Sequence, residues 1–419
     1  MKFEFFVAQR LRLKNSSTGG TSPSIIIAIA GIAIAIVIMI IAIVVILGFK
    51  HEIREKIMGF DAQITVTSNE AVGFGYNNTN NYIIFDDSLK NIISSACPTA
   101  EVSLSLKQPG ILKTDDNFLG VVFKGLDSNH KWEFISDNLV SGNIPNYACD
   151  TTHNQIIVSK TMSKLLKLDV GSKIYAYFIK DGNVKTRRFE IAAIYESHFN
   201  DYDKLIAFSS LPTLQKINDL PSDGGSCIEL RGFKPDDIIP SSSALQDSIV
   251  EACYNQKLNN LCNVTNVYHT GAFYFTWLDL LDTNVVVILI LIALVAGFTL
   301  VSCMFIIILE RVNTIGILKA LGATNAQIRG IFITLTERLV IIGMLIGNFI
   351  GITLTILQEK FHLIPLNPDA YYLNYVPVEL NWAHILYLNL GVLVLTTLIL
   401  VIPSQLVSTI SPAKTIKYE

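Results

Sequence analysis

The chain has 419 residues, 51% of them apolar and only 16% charged, with a mean hydropathy of +0.45. Soluble domains are about a quarter charged, so this composition excludes an ordinary soluble protein. The net charge of −3 gives no sign of nucleic-acid binding. The apolar residues are bunched into four windows free of Asp, Glu, Lys and Arg: Ile25–Phe49, Val285–Leu309, Leu339–Leu357 and Ile385–Ile402, which are 25, 25, 19 and 18 residues long. Each is long enough for a helix to cross about 30 Å of hydrocarbon. The first greatly exceeds a signal-peptide core of about 7–15 residues and no small-residue cleavage site follows it, so it reads as a retained anchor.

In chain order, residues 1–24 form an N-terminal segment. Its stretch Phe3–Arg12 mixes aromatic and basic residues and suits either an interfacial helix or a positive flank that orients the first span. After the span at 25–49, Phe49, Ile53 and Ile57 recur four apart, which predicts a helical stalk that Gly59 ends. Residues 50–283, 234 in all, have ordinary polar composition and the size of a sizeable domain. Alternation predicts strands at 62–67, 120–123, 155–158, 173–178, 188–194 and 205–208, and helices at 160–166 and 243–258. Lys180–Asn183 reads as a hairpin turn, Gly73–Asn78 as a loop, and 273–284 as a second stalk leading to the span at 285–309.

The segment 310–338 follows. Val312, Ile315 and Leu318 share a helical face, Gly322 is placed to stop that helix, and Thr324 with Gln327 makes a capping box that starts another. A short amphipathic helix of this kind either lies on the membrane surface or docks in a partner's groove. The span at 339–357 carries Gly343, Gly347 and Gly351 on one face, a spacing that suits close packing against the chain's own spans or against a second copy. A loop at 358–384, the span at 385–402 and a tail at 403–419 complete the chain. Lys2, Arg10, Arg12, Lys14, Arg311, Lys319, Arg329, Arg338, Lys414 and Lys417 stand against Lys360 alone in the loop at 358–384. That asymmetry predicts cytoplasmic termini and a cytoplasmic 310–338 segment. The fold class is therefore an α-helical membrane protein with four transmembrane helices plus a large α+β extracytoplasmic domain inserted between the first and second.

No catalytic or phosphate-binding motif is present, and the spans hold no ionisable residue for ion-coupled transport. His198, Asp201 and Asp203 cluster in what reads as a solvated turn. The five cysteines between the first two spans form no C-x-x-C pair, and their pairing is not legible.

The stretches Gly48–Asp61, Trp277–Asn284 and Glu310–Ala323, and the tail with Ser411-Pro412-Ala413, resemble the FtsX-like permease superfamily, and within it the LolC/LolE-type lipoprotein-releasing permeases. The resemblance implies an inner-membrane subunit of an ATP-binding-cassette (ABC) complex, with an external domain of the macrolide-exporter type. Two permeases, identical or homologous, pair there with two ATPase subunits. ATP is used by those partners, so this chain is expected to bind no cofactor or metal and to be no enzyme itself. Glu310, Arg311, Ile315, Gly316, Leu318, Lys319, Ala320, Leu321, Gly322 and Ala323 are then the segment that couples to the ATPase. Phe49, Ile53, Met58, Trp277 and Leu281 would line the cavity for an acylated lipoprotein, which a soluble periplasmic carrier receives. The hairpin loop at 180–186 is short where a carrier-docking subunit projects a longer hook. Export of peptides or small molecules, and FtsX-like signalling to an external enzyme, are the alternatives that the same resemblance allows.

Overall fold

The computed structural model describes residues 23–68, 82–127, 130–149, 152–180, 182–256, 258 and 262–405. The Phe3–Arg12 segment, the Gly73–Asn78 loop and the tail beyond residue 405 lie outside them. Among the described residues, four helices are long and apolar enough to cross a membrane: Pro23–Phe60, Ala272–Glu310, Asn325–Phe361 and Trp382–Ser404. The first has 38 residues, about 57 Å at 1.5 Å per residue, nearly twice a bilayer core. Its excess length is the stalk.

The chain divides into two compact units. The membrane unit holds residues up to His51, Trp277–Pro365 and the chain from Tyr375. Its core is built on the first helix, where Ile25, Ala28, Ile32, Ile36 and Ile40 are all buried at helical spacing. The glycine seam of the third helix meets that row. A Cβ built on Gly343 would fall 2.9 Å from Ile32 Cβ, one on Gly347 2.7 Å from Ile36 Cβ, and one on Gly351 3.1 Å from Ile40 Cδ1. The three glycines thus serve packing within the chain rather than contact with a second copy. Third and fourth helices are joined by a reciprocal amide pair, Asn348 Nδ2 to Asn389 Oδ1 at 2.7 Å and the reverse at 2.9 Å. Each side chain satisfies the other, which removes the cost of a lone polar group in hydrocarbon.

The external unit comprises Glu52–Thr276 together with Leu366–Asn374. Its strands are β1 (Ile64–Ser68), β2 (Ile83–Ile84), β3 (Glu101–Lys113), β4 (Phe118–Leu126), β5 (Leu139–Gly142), β6 (Gln155–Ser159), β7 (Lys173–Lys180), β8 (Asn183–Tyr195), β9 (Ile206–Ser210), β10 (Gly224–Gly225), β11 (Cys227–Arg231) and β12 (Cys262–Asn266). Ten of them form one sheet. The pairings β3–β4–β9–β6–β8–β7 return to β3, so six strands close a ring, while β11, β1 and β12 continue from the edge of β3 that also pairs β7. Phe123, Phe178 and Phe189 fill the ring, with centroids 5.0 to 6.4 Å apart.

β3 has no counterpart in the sequence reading because Pro109-Gly110 looks like a turn. Along one edge β3 pairs β4 throughout, whereas the other edge pairs β11 through residue 105 and β7 from residue 111. Pro109 falls in the gap, where a missing N–H costs no ladder bond. Gly59 does not end the stalk: the helix runs on to Phe60, and a Cβ on Gly59 would lie 2.3 Å from the Phe134 ring. Close approach, and not helix termination, is what needs that glycine.

The glycine seam makes a graded prediction. Alanine at Gly347 meets backbone as well as Ile36, whereas at Gly351 it meets only the flexible end of Ile40. Overpacking typically costs about 1–3 kcal/mol, so unfolding midpoints of the purified variants are expected to fall most for Gly347→Ala and least for Gly351→Ala.

Candidate functional site

The short helix expected after the second span is Val312–Ala320, separated from Glu310 by Arg311 alone. Leu321 closes it, Gly322 turns the chain in the left-handed region at φ +94°, and the next helix starts at Asn325. Both bonds of the capping box form: Gln327 N donates to Thr324 Oγ1 at 3.3 Å, and Thr324 N to Gln327 Oε1 at 2.9 Å.

The face that this helix offers differs from the sequence expectation. Ile315 and Gly316 are buried, and Leu318 and Ala323 pack against the membrane core. The Val312–Ile315–Leu318 face therefore seals the helix to its own chain and is not available to a partner's groove. Ile317, 56% exposed, Leu321, 79% exposed, and Ala320 face outward instead. Ile317 was missed because it lies off the periodic apolar face that marks an amphipathic helix. Large apolar side chains held out beside a tight turn make a compact convex contact.

The first helix ends within the external unit, and its final carbonyls meet cations. Helix ends leave backbone carbonyls without intrahelical partners and carry partial negative charge. Arg231 Nη1 donates to Met58 O at 2.5 Å and Lys124 Nζ to Phe60 O at 2.6 Å. Glu229 balances both, lying 2.7 Å from Lys124 and 3.3 Å from Arg231, and accepts from Ser105 Oγ at 2.9 Å. The Lys124 and Glu229 side chains are 1% and 2% exposed. Burial by itself would raise the Glu229 carboxyl, but Lys124, Arg231 and Lys107 outweigh it and hold it well below the usual carboxylate range. Asp61 is treated alike: burial opposes ionisation, yet Lys107 at 2.8 Å, Lys124 and the Tyr202 hydroxyl at 2.6 Å lower its pKa.

The five residues expected around a cargo cavity are divided between the units. In the membrane unit, Phe49 meets Trp277 edge-on at a centroid distance of 5.9 Å, and Leu281 lies four residues beyond Trp277 on the same helix. In the external unit, Ile53 is fully buried, so it packs and does not line a cavity, while the Met58 carbonyl is taken by Arg231.

The turn bearing His198, Asp201 and Asp203 is only partly solvated: Asp201 is exposed and His198 half-buried. Asp203 is buried; its Oδ1 accepts from Ser197 Oγ at 2.6 Å, and its carbonyl accepts from Ser159 Oγ. Burial raises the Asp203 carboxyl to about 6 against the opposing pull of Ser197 and Lys56. Among the described residues, no group of His, Cys, Asp and Glu could hold a metal ion. The β7–β8 hairpin is tied down rather than projecting. Lys185 Nζ donates to Ile217 O and to Asp219 Oδ2, both at 2.7 Å, and Lys180 reaches Asn218 O, all at the end of the helix Leu211–Asn218.

Four candidate membrane spans, an α+β domain inserted between the first and second, and a capped elbow between the second and third are the architecture of a membrane permease subunit. Residues 286–412 match the family described as FtsX-like permease C-terminal. The chain resembles LolC-type proteins along most of its length. It is 23% identical to the lipoprotein-releasing system transmembrane protein LolC of Xylella fastidiosa, over 90% of this chain and 89% of that one. The LolC of Neisseria meningitidis is 21% identical over 99% of both chains. A solved structure, the periplasmic region of MacB from Actinobacillus actinomycetemcomitans, is similar over 52% of this chain and 95% of that one, at 13% identity and a TM-score of 0.35.

The Asp203 environment has a pH consequence. A carboxyl raised on folding binds its proton more tightly in the folded state, so its stabilising contribution is full below the ordinary carboxylate range and is lost as pH rises through about 6. Asp61 and Glu229 act with the opposite sign, at lower pH. Unfolding midpoints of wild type and Asp203→Asn, followed across that range, are expected to shift against wild type as pH rises through about 6, because the amide cannot ionise.

Proposed function

We propose that this chain is the permease subunit of a complex that releases lipoproteins from the inner membrane for transfer towards the outer membrane. The names of its LolC relatives support this cargo. In this reading a second permease and two ATPase subunits complete the assembly, both termini are cytoplasmic, and ATP is hydrolysed in the ATPase subunits.

The observation that carries the coupling role is the division of the Val312–Ala323 elbow into an inward face sealed to the membrane core and an outward face of Ile317, Ala320 and Leu321. Motion delivered to the outward face passes to the second and third long helices, because the inward face cannot slip without opening that core. Gly322 allows the chain to reverse between them without strain. Glu310, Arg311 and Lys319 supply charge around the same contact. Handover to a soluble carrier is assigned to surfaces other than the β7–β8 hairpin, because Lys180 and Lys185 tie the turn end of that hairpin to the 211–219 segment.

Two experiments test this. Ile317→Asp and Leu321→Asp alter side chains that contribute little to the chain's own packing, so the permease is expected to insert normally. ATPase recruitment or ATP-driven release should nevertheless fall about ten-fold or more, the scale on which a desolvated interface anchor acts. Unchanged recruitment and release in both variants would remove the coupling assignment. Depletion of the chain is expected to strand outer-membrane lipoproteins in the inner membrane; normal sorting on depletion, with loss of another exported compound, would transfer the cargo assignment to that compound.

A further inference from the structure

Three segments of the chain, each continuous with long helices of the membrane unit, converge inside the external unit on one turn, Ser197–Asp203. The first is the stalk end. Lys56 Nζ donates to Ser197 O, and Phe60 stacks on Tyr202 at a centroid distance of 4.8 Å. The second is the start of the helix Ala272–Glu310: Tyr274 donates its hydroxyl to Asp201 Oδ2 at 2.8 Å and packs on Phe199 at 5.0 Å. The third was not legible as anything but a loop. Residues Leu366–Asn374, between the third and fourth long helices, belong to the external unit.

Tyr372 makes that third connection. Its ring meets Phe199 edge-on at 4.9 Å, its hydroxyl donates to Asp201 Oδ2 at 3.3 Å, and its carbonyl accepts from Lys56 Nζ at 3.0 Å. Phe199 is fully buried at the centre of Tyr202, Tyr274 and Tyr372. Two non-glycine residues at this junction, His198 and Tyr372, hold φ of +60°. Left-handed backbone at such residues is strained and persists where surrounding contacts over-determine it. Within the external unit the segment is pinched at its own base, Leu366 N donating to Asn374 O at 2.8 Å. A pinched loop moves as a body when its ends move.

We propose that Leu366–Asn374 is a strap that carries displacement of the third and fourth helices into the external domain, with Tyr372 as the positioning residue that locks it to the Ser197–Asp203 turn. The two stalks continue the first and second long helices, and this segment adds a direct covalent link from the third and fourth. The inference rests on the chain being an ABC permease, not on the identity of its cargo.

The test is made on the full complex, by amide hydrogen exchange across residues 197–203 with and without a non-hydrolysable ATP analogue. In wild type the analogue is expected to change protection of that turn. Tyr372→Ala should abolish the change and lower release per ATP hydrolysed by about ten-fold, within the range reached by substitutions along a coupling route, while ATP hydrolysis stays near wild type. Tyr372→Phe keeps the ring contact and should retain most of the response; Asp201→Asn serves as a second variant should Tyr372→Ala fold poorly. A nucleotide response at 197–203 that survives in Tyr372→Ala, or that is absent in wild type, overturns the strap. Because the exchange response is read without cargo, its outcome is separate from that of the depletion experiment.

Discussion

A helix that leaves the membrane and ends inside a folded domain must find partners for its last carbonyls, and here the solution is ionic. Met58 and Phe60 expose their carbonyls to Arg231 and Lys124, and Glu229 neutralises both cations with its other lone pair satisfied by Ser105. Removing one member of such a buried set leaves an uncompensated charge and costs about 3–5 kcal/mol. The donors come from β4 and β11, on either side of β3, so the helix end and the sheet are fixed by the same side chains. A stalk attached by apolar contact alone could rotate; one attached through directional charges to the adjoining carbonyls cannot do so without breaking several bonds.

The same economy recurs in the membrane unit with different chemistry. Hydrocarbon gives apolar side chains no reason to associate, so helices there are held by close approach and by matched polar groups. The glycine seam at 343, 347 and 351 supplies the first against Ile32, Ile36 and Ile40, and the Asn348–Asn389 pair supplies the second. The elbow at Val312–Ala323 inherits this rigidity through Ile315, Leu318 and Ala323.

Several elements escaped the sequence for identifiable reasons. β3 carries Pro109-Gly110 at a position where only the switch from β11 to β7 makes a proline harmless. The stalk was expected to stop at Gly59, yet that glycine answers to Phe134, 75 residues away in sequence, and not to helix termination. The acidic turn at 198–203 looks solvated because its residues are polar, whereas Ser197, Ser159, Tyr274 and Tyr372 reach it from distant parts of the chain. Its raised Asp203 follows from that burial and has no local signature.

What sequence alone determined was everything governed by local pattern and by the bilayer as solvent. The four spans follow from uninterrupted apolar length, the elbow from Gly322 and the Thr324–Gln327 capping box, and the helix at 160–166 from local periodicity. Tertiary structure decided which side of each pattern is used: that the glycines face the first helix, that Ile317 and Leu321 and not Leu318 face outward, and that a short loop becomes part of the external unit. Those outcomes depend on contacts between residues hundreds of positions apart, and periodicity carries no record of which partner a face will meet.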